Sequence, residues 1–171
     1  MIKKSLIVAS LLFITNNVSA NDSRWMTDIS LYPSAPGEKL NGVDFDDTHI
    51  VGFKIGKTSI WNNIGLFANF GMTVNQTEED GSSVDPYLEY KQFGAGVNYS
   101  FTNDIIVYAG VGSSTANGTY TDQYNNKYET TESVDETYTT IGASYVFGEN
   151  AYIDLSVQSI GGFGIGFGFK F

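Results

Sequence analysis

The carboxyl-terminal end of the chain alternates without interruption between large apolar residues and small or polar ones. Its sequence is Phe163-Gly164-Ile165-Gly166-Phe167-Gly168-Phe169-Lys170-Phe171. Successive side chains of a β-strand point to opposite faces, so this period of two predicts a strand with one apolar face. The same alternation recurs in seven earlier segments, at 25–31, 51–56, 64–74, 90–101, 105–112, 138–147 and 152–158. The sequence therefore predicts an all-β chain of eight strands.

The connections between these segments alternate in length, which is a second and independent signal. They are long at 32–48, 75–87 and 114–136, and short at 57–63, 102–104, 148–150 and 159–162. Transmembrane barrels join their strands in this way, with short periplasmic turns and longer extracellular loops. The pattern predicts an eight-stranded antiparallel up-and-down transmembrane β-barrel with both of its ends on the periplasmic side.

The composition of the second face indicates which face meets lipid. That face carries glycine, serine, threonine, asparagine, glutamine and tyrosine, with only four charges, at Asp28, Lys54, Asp154 and Lys170. A water-exposed exterior normally carries many lysines and glutamates. We therefore expect the apolar face to point outward to lipid. A soluble barrel with its apolar face turned inward is the alternative.

Aromatic residues cluster at the ends of the segments that the short turns join. They are Trp25, Trp61, Tyr99, Phe101, Tyr145, Phe147, Phe169 and Phe171. Amphipathic rings are favoured where a membrane meets water, so the pattern predicts an aromatic girdle at one interface.

The first twenty residues have the organisation of a secretory signal peptide. Lys3 and Lys4 precede the apolar run 6–14, and Val18-Ser19-Ala20 supplies small residues for cleavage after Ala20. A nine-residue run is too short for a transmembrane helix, which needs about 20 residues. We predict a signal peptide at 1–20 and one barrel domain at 21–171.

Charge and cysteine content exclude several classes of function. The chain has 19 acidic and 9 basic residues, a formal net charge of −10, and no cysteine. Such an acidic chain is a poor partner for nucleic acid. Neither a disulfide framework nor a thiolate metal site is available.

These features together resemble the small outer-membrane β-barrel family typified by OmpX, Ail and the membrane domain of OmpA. The resemblance covers nearly all of residues 25–171 and rests on the signal peptide, the eight strands and the terminal aromatic strand. It implies a Gram-negative outer-membrane location. It also implies that Phe167, Phe169 and Phe171 form the signal that the barrel-assembly machinery reads. The peptidoglycan-binding domain of OmpA-like proteins is not expected.

The lumen of an eight-stranded barrel is just wide enough to be filled by side chains. Gly164, Gly166 and Gly168 leave room that tyrosines are expected to fill, and the candidates are Tyr90, Tyr108, Tyr138 and Tyr152. The alternative is a narrow pore or a passage for a small apolar ligand, as in OmpW-like barrels. Asp28, Lys54, Asp154 and Lys170 are candidates for an internal ion-pair network, because a confined charge needs a partner.

A lipid A-modifying enzyme is a minor alternative. His49 is the only histidine and lies near Asp46 and Asp47. A triad with Ser82 or Ser83 and Asp85 is conceivable, but triads are recognised by geometry, and the sequence does not supply it. We expect no catalysis and no cofactor.

The long connections hold most of the acidic residues and several tyrosines. The acids are Glu38, Asp44, Asp46, Asp47, Glu78, Glu79, Asp80, Asp85, Glu89, Asp122, Glu129, Glu132, Asp135 and Glu136. Clustered carboxylates bind divalent cations, but the ordered spacing of a calcium loop is absent, so a metal site stays undecided. Tyr120, Tyr124 and Tyr128 are candidates for loop interactions, because binding surfaces are enriched in tyrosine.

The sequence thus predicts a monomeric, non-catalytic outer-membrane barrel in contact with lipid and lipopolysaccharide. Its loops are expected to meet a host or environmental ligand, because the family resemblance implies adhesion as the leading role. Its wall is expected to contribute to envelope integrity.

Overall fold

The computed structural model describes residues 23–35, 37, 39–40, 43–45, 47–74, 87–121 and 127–171. Within those ranges every regular element is a strand. The strands are β1 (Trp25–Ala35), β2 (Lys39–Leu40), β3 (Val43–Asp44), β4 (Thr48–Trp61), β5 (Ile64–Val74), β6 (Tyr87–Ser100), β7 (Ile105–Thr121), β8 (Lys127–Phe147), β9 (Ala151–Gln158) and β10 (Gly162–Lys170). No helix in this part of the chain is long and apolar enough to cross a membrane.

Eight of the strands form a closed antiparallel barrel in the order β1-β10-β9-β8-β7-β6-β5-β4. Closure depends on β1, which pairs with β4 on one side and with β10 on the other. The remaining two strands, β2 and β3, form a small separate hairpin. The predicted eight-stranded up-and-down barrel is confirmed.

The large apolar side chains point out of the barrel, as the sequence predicts. Ile141 is 62% exposed and Leu66 is 57% exposed, whereas Tyr138 and Asp154, on the inward face, are fully buried. Strand β5 carries outward apolar residues from Ile64 to Val74. That span is about 33 Å along the strand, or about 25 Å along the axis at a typical tilt, which matches the apolar band of outer-membrane barrels.

The prediction that 114–136 is a loop is wrong for most of that segment. Strand β7 continues to Thr121, β8 begins at Lys127, and the two pair along this extension. Alternation misses the extension because it lies beyond the apolar band, where the outward positions are polar as well.

The predicted short connection 57–63 is also mostly strand. Strand β4 runs through to Trp61, with an irregular register between Lys57 and Trp61. The turn itself is Asn62-Asn63, whose φ angles are 47° and 68°. Two successive positive φ values are typical of the type I′ turn of a tight hairpin, and asparagine tolerates them well.

Aromatic rings fill the lumen above glycines on neighbouring strands, as the sequence predicts in general form. A Cβ atom added to Gly142 would meet the Tyr108 ring, and one added to Gly168 would meet the Tyr152 ring. Gly164 lies under Tyr32, which the sequence analysis did not include among the lumen tyrosines. The glycines are therefore required by close packing inside the wall.

We predict that Gly142→Val prevents stable folding. Its Cβ would overlap Tyr108 and lie 2.7 Å from the Leu155 carbonyl oxygen, so an overpacking penalty of about 3 kcal/mol is expected. The measurement is the fraction of unboiled protein that keeps its folded gel mobility. The control is Ala143→Val, which places the same side chain on the next residue of β8, where it points outward. Equal folding of the two variants would contradict the packing of the lumen described here.

Candidate functional site

A buried ion network lies in the middle of the lumen. The Lys54 Nζ atom lies 3.0 Å from Asp28 Oδ2 and 2.9 Å from Asp154 Oδ1. All three residues are at most 5% exposed. Asp28 and Lys54 are opposite each other on β1 and β4, whereas Asp154 reaches them from β9 across the lumen.

Hydroxyl groups donate further hydrogen bonds to both carboxylates. Asp154 accepts hydrogen bonds from Tyr108 Oη and Ser144 Oγ, both at 2.6 Å. Asp28 accepts them from Tyr152 Oη at 2.9 Å and from Ser30 Oγ at 3.1 Å. Each carboxylate therefore has three donors when Lys54 is included.

The Tyr108 ring also faces the ammonium group. Lys54 Nζ lies 3.7 Å from its centroid, which is cation–π geometry. The sequence signalled these partners only indirectly. Two aspartates and one lysine in a single cluster leave one negative charge over, so further hydrogen-bond donors are needed nearby.

Lys170, the fourth charge singled out from the sequence, also points inward and is 7% exposed. We call the end of the barrel that carries most of the short turns the periplasmic end and the other the extracellular end, following the sequence prediction. Lys170 pairs in register with Met26, one inward position closer to the periplasmic end than Gly168, which pairs with Asp28. The structure thus brings three of the four charges into one cluster and places Lys170 below it.

Two apolar clusters lie above and below the ion network. The cluster at the periplasmic end consists of Met26, Ile106, Val146 and Tyr152. The cluster at the extracellular end consists of Tyr32, Ala35, Phe45, Ile50, Leu88, Tyr90, Ala116, Tyr138 and Ile160. Between them, a cavity beside Lys54 measures only about 10 Å³, roughly the room for one water molecule.

Strands β6, β7 and β8 continue past the outward apolar band as a three-stranded sheet. The last outward apolar residues are Phe93, Val111 and Ile141, and polar ones such as Lys91 and Asp135 follow. Hydrogen bonds and ion pairs link this outer face, including Thr115 Oγ1 to Asp135 Oδ1 at 2.7 Å and Lys91 Nζ to Glu89 Oε1 at 3.5 Å.

The inner face of this sheet packs on the mouth of the barrel. Leu88, Tyr90 and Ala116 belong to the extracellular apolar cluster, and Val134 packs against it. We call the segment formed by 87–91, 113–121 and 127–137 the extracellular sheet. Its base is therefore fixed to the barrel by packing as well as by strand continuity.

One edge of the extracellular sheet is open. The pairing of β8 with β9 begins at Thr140, and Thr139 still exchanges hydrogen bonds with Ser159. Above Thr139, no strand in the described ranges pairs with that edge of β8. Because backbone groups alternate in direction along a strand, Ser133, Asp135 and Thr137 point their N–H and C=O groups to the open side, as Thr139 does.

Two of the three loop tyrosines lie on the described strands at the far end of this sheet. The backbones of Tyr120 and Tyr128 are opposite each other in the β7–β8 pairing. Tyr124 lies outside the described residues. The pairing thus brings two of the three candidate positions together at the tip of a two-stranded ribbon.

The terminal aromatic residues lie on the outward face at the periplasmic end. Phe167 and Phe169 are in edge contact, with ring centroids 5.1 Å apart, and Phe171 is 66% exposed. Backbone hydrogen bonds of 2.8 Å in both directions join Phe171 to Trp25. The predicted assembly signal is therefore part of the strand that closes the barrel.

The histidine and its predicted partners do not form a described triad. His49 lies on β4 opposite Val74, on the outward side of the wall. Asp46, Ser82, Ser83 and Asp85 lie outside the described residues. Among the residues that the structure places, no group of three or more histidine or acidic side chains is arranged to hold a metal ion.

The fold defines a small transmembrane-type barrel, and solved structures share it. The sequence matches no family model and no curated protein. The crystal structure of Ail from Yersinia pestis in complex with sucrose octasulfate, a heparin analogue, has a TM-score of 0.68 at 16% identity. That match covers 88% of this chain and 99% of Ail.

Two further solved structures have the same architecture. The amino-terminal barrel domain of OprF from Pseudomonas aeruginosa has a TM-score of 0.54 at 15% identity, over 87% of this chain and 97% of that one. Neisserial surface protein A has a TM-score of 0.50 at 13% identity, over 86% and 92%. The resemblance to small outer-membrane barrels of the OmpX and Ail type is confirmed for the fold.

We predict that Lys54→Met destabilises the barrel by about 3–5 kcal/mol, because it leaves the carboxylates of Asp28 and Asp154 buried without their counter-ion. The measurement is urea unfolding of protein folded in lipid vesicles. The control is Lys91→Met, which removes only a surface ion pair with Glu89 and should change stability by less than about 1 kcal/mol. A similar loss of stability in the two variants would contradict a stabilising role for the buried ion network.

Proposed function

We propose that this chain is an exported outer-membrane protein without catalytic activity that mediates surface interactions. The barrel is the anchor, and the extracellular sheet is the contact surface. The single observation that carries the proposal is the continuation of β6, β7 and β8 beyond the apolar band as an ordered sheet packed onto the barrel. Binding elements held on a rigid scaffold are a common basis of recognition.

The filled lumen supports the anchor role over the channel alternative. A pore or ligand passage would need a continuous space, whereas apolar clusters close both ends and a cross-lumen ion network occupies the centre. The rigid wall is proposed to contribute to envelope integrity as well, and the protein is proposed to act as a monomer.

The outward surface supports an outer-membrane location. Its apolar band is proposed to contact lipid and lipopolysaccharide. The exposed ring of Phe171, together with Phe167 and Phe169, is proposed to be recognised by the barrel-assembly machinery during insertion. Export by the segment 1–20 is part of the same proposal.

The open edge of β8 supports contact by strand addition. An extended segment of a partner could pair with the backbone groups of Ser133, Asp135 and Thr137. Asp135 and Glu136 are exposed beside this edge. Like charges opposite each other disfavour pairing between two copies of this chain, so the edge is proposed to serve a different protein.

The test is to shorten the extracellular sheet without touching the barrel. A variant in which Asn-Gly replaces 117–133 joins Ala116 to Val134, which already pair across β7 and β8, through a two-residue turn. This variant keeps Asp135 and Thr137 but leaves too short an open edge on β8 for an added strand. We therefore expect it to keep the folded gel mobility and to lose adhesion of expressing cells to epithelial monolayers by about tenfold.

The control is a variant with changes confined to the periplasmic turn, such as Asn103→Ala, which should adhere normally. Full adhesion of the shortened variant, with the barrel folded at the cell surface, would contradict the proposed role of the sheet. Misfolding of the shortened variant would instead contradict the independence of anchor and sheet.

A further inference from the structure

A lysine ends the outward apolar face of β4 on the periplasmic side. On that face Phe53 and Ile55 are followed by Lys57, which is partly exposed. The described lysines that form ion pairs are Lys54, in the lumen, and Lys91, near the extracellular end. Within the described ranges no carboxylate pairs with Lys57. Its ammonium group can therefore pair with an anionic ligand.

A tryptophan beside this lysine indicates its height in the membrane. Trp25 and Lys57 are opposite each other in the pairing of β1 with β4, and Lys57 Nζ lies 5.9 Å from the Trp25 ring centroid. The ring is 48% exposed on the outward face. Tryptophan is favoured at the level of lipid headgroups, where its ring meets both hydrocarbon and water. Lys57 therefore lies at the height of the phosphate groups of the periplasmic leaflet.

An open groove of about 370 Å³ lies on the outward wall nearer the middle of the same strands. Ser30 and Gly166, which pair in register, lie at its floor because their side-chain positions face the lumen. We call it the wall groove, and its outward residues are all apolar: Ile29, Leu31, Val51, Ile153, Ile165 and Phe167. A polar ligand would lose its hydrogen bonds to water there, so the wall groove suits an acyl chain.

The spacing between the lysine and the wall groove matches one phospholipid. Ile29 and Leu31 are four and six residues from Trp25 along β1, which is about 13–20 Å along the strand and about 10–15 Å along the axis at a typical tilt. That distance is about half the height of the apolar band, and an acyl chain spans half of a bilayer. The outward residue between the two is Thr27, whose small side chain leaves room for a chain to pass.

We infer that the outward face of β1, β4 and β10 is a binding site for one anionic phospholipid of the periplasmic leaflet. Lys57 pairs with its phosphate, Trp25 packs against its headgroup region, and one of its acyl chains occupies the wall groove. Basic residues at a membrane surface favour anionic lipids. The inference rests on the proposed membrane location of the barrel, and it does not depend on the proposed surface interactions of the extracellular sheet.

The charge contact is tested by native mass spectrometry of the folded protein titrated with phosphatidylglycerol, or with zwitterionic phosphatidylethanolamine that has the same acyl chains. The unchanged protein is expected to retain one phosphatidylglycerol with an affinity about fivefold higher than for phosphatidylethanolamine. Lys57→Met should remove this preference, whereas Lys91→Met, which changes the outward lysine near the other end, should keep it. Equal binding of the two lipids by the unchanged protein, or a preference that persists in Lys57→Met, would overturn the inference.

The wall groove is tested in the same experiment by filling it. Ile165→Trp is expected to weaken the binding of both lipids, whereas Ile141→Trp, the same change on the outward face of β8, should leave it unchanged. Leu31→Phe fills the groove from β1 and serves if Ile165→Trp does not fold. Equal lipid binding by the filled and control variants would overturn the site, and so would a lipid-free dimer of the unchanged protein, because a second copy would then cover the groove.

Folded gel mobility in lipid vesicles separates this inference from the proposed location. A folded barrel that shows no lipid preference contradicts only the phospholipid site. An unchanged protein that never acquires the folded mobility contradicts the membrane barrel and the phospholipid site together.

Discussion

Backbone hydrogen bonding in lipid is the constraint on which the rest of this structure depends. A strand in a bilayer has no water to satisfy its N–H and C=O groups, so the sheet must close on itself. Closure here falls to β1, which pairs with β4 and with β10. The reciprocal bonds between Trp25 and Phe171 extend this seam to the last residue of the chain. Complete backbone pairing therefore determines the wall. The two faces of the wall then determine which side chains suit each position.

Closure in turn creates an interior that must be filled and neutralised. Eight strands leave room for side chains only, and glycines opposite aromatic rings adjust that room locally. The charges in the centre are tolerated because each carboxylate of Asp28 and Asp154 has three donors and Lys54 serves both. This network links strands that are not neighbours in the sheet, so it braces the barrel across its lumen. Because its lumen is filled and cross-linked by ion pairs, the barrel can serve as a rigid anchor for elements outside the membrane.

The fold was predictable from the sequence because lipid imposes a period of two wherever a strand crosses the membrane. The same reasoning fails at 114–121 and 127–136, where the strands lie beyond the apolar band and their outward positions are polar as well. Within the lumen, the four inward charges predicted an ion network, but not that Lys170 would lie below the cluster of the other three. Asp28 and Lys54 are direct neighbours in the register, whereas the contact of Asp154 depends on how the closed barrel is staggered, which alternation does not encode. The hydrogen bonds from Tyr108 and Ser144 to Asp154 could not be predicted for the same reason.

If the wall is placed correctly, the apolar face meets lipid while the extracellular sheet stands above it. Fluorescence quenching by brominated lipid tests it directly, in a background where Trp25 and Trp61 are replaced by Phe. Ile141 and Thr137 both point outward on β8, so a single tryptophan at each position reports two heights on one strand face. We predict strong quenching for Ile141→Trp and little for Thr137→Trp. Equal quenching at both positions, or none at Ile141→Trp in the folded protein, would contradict it.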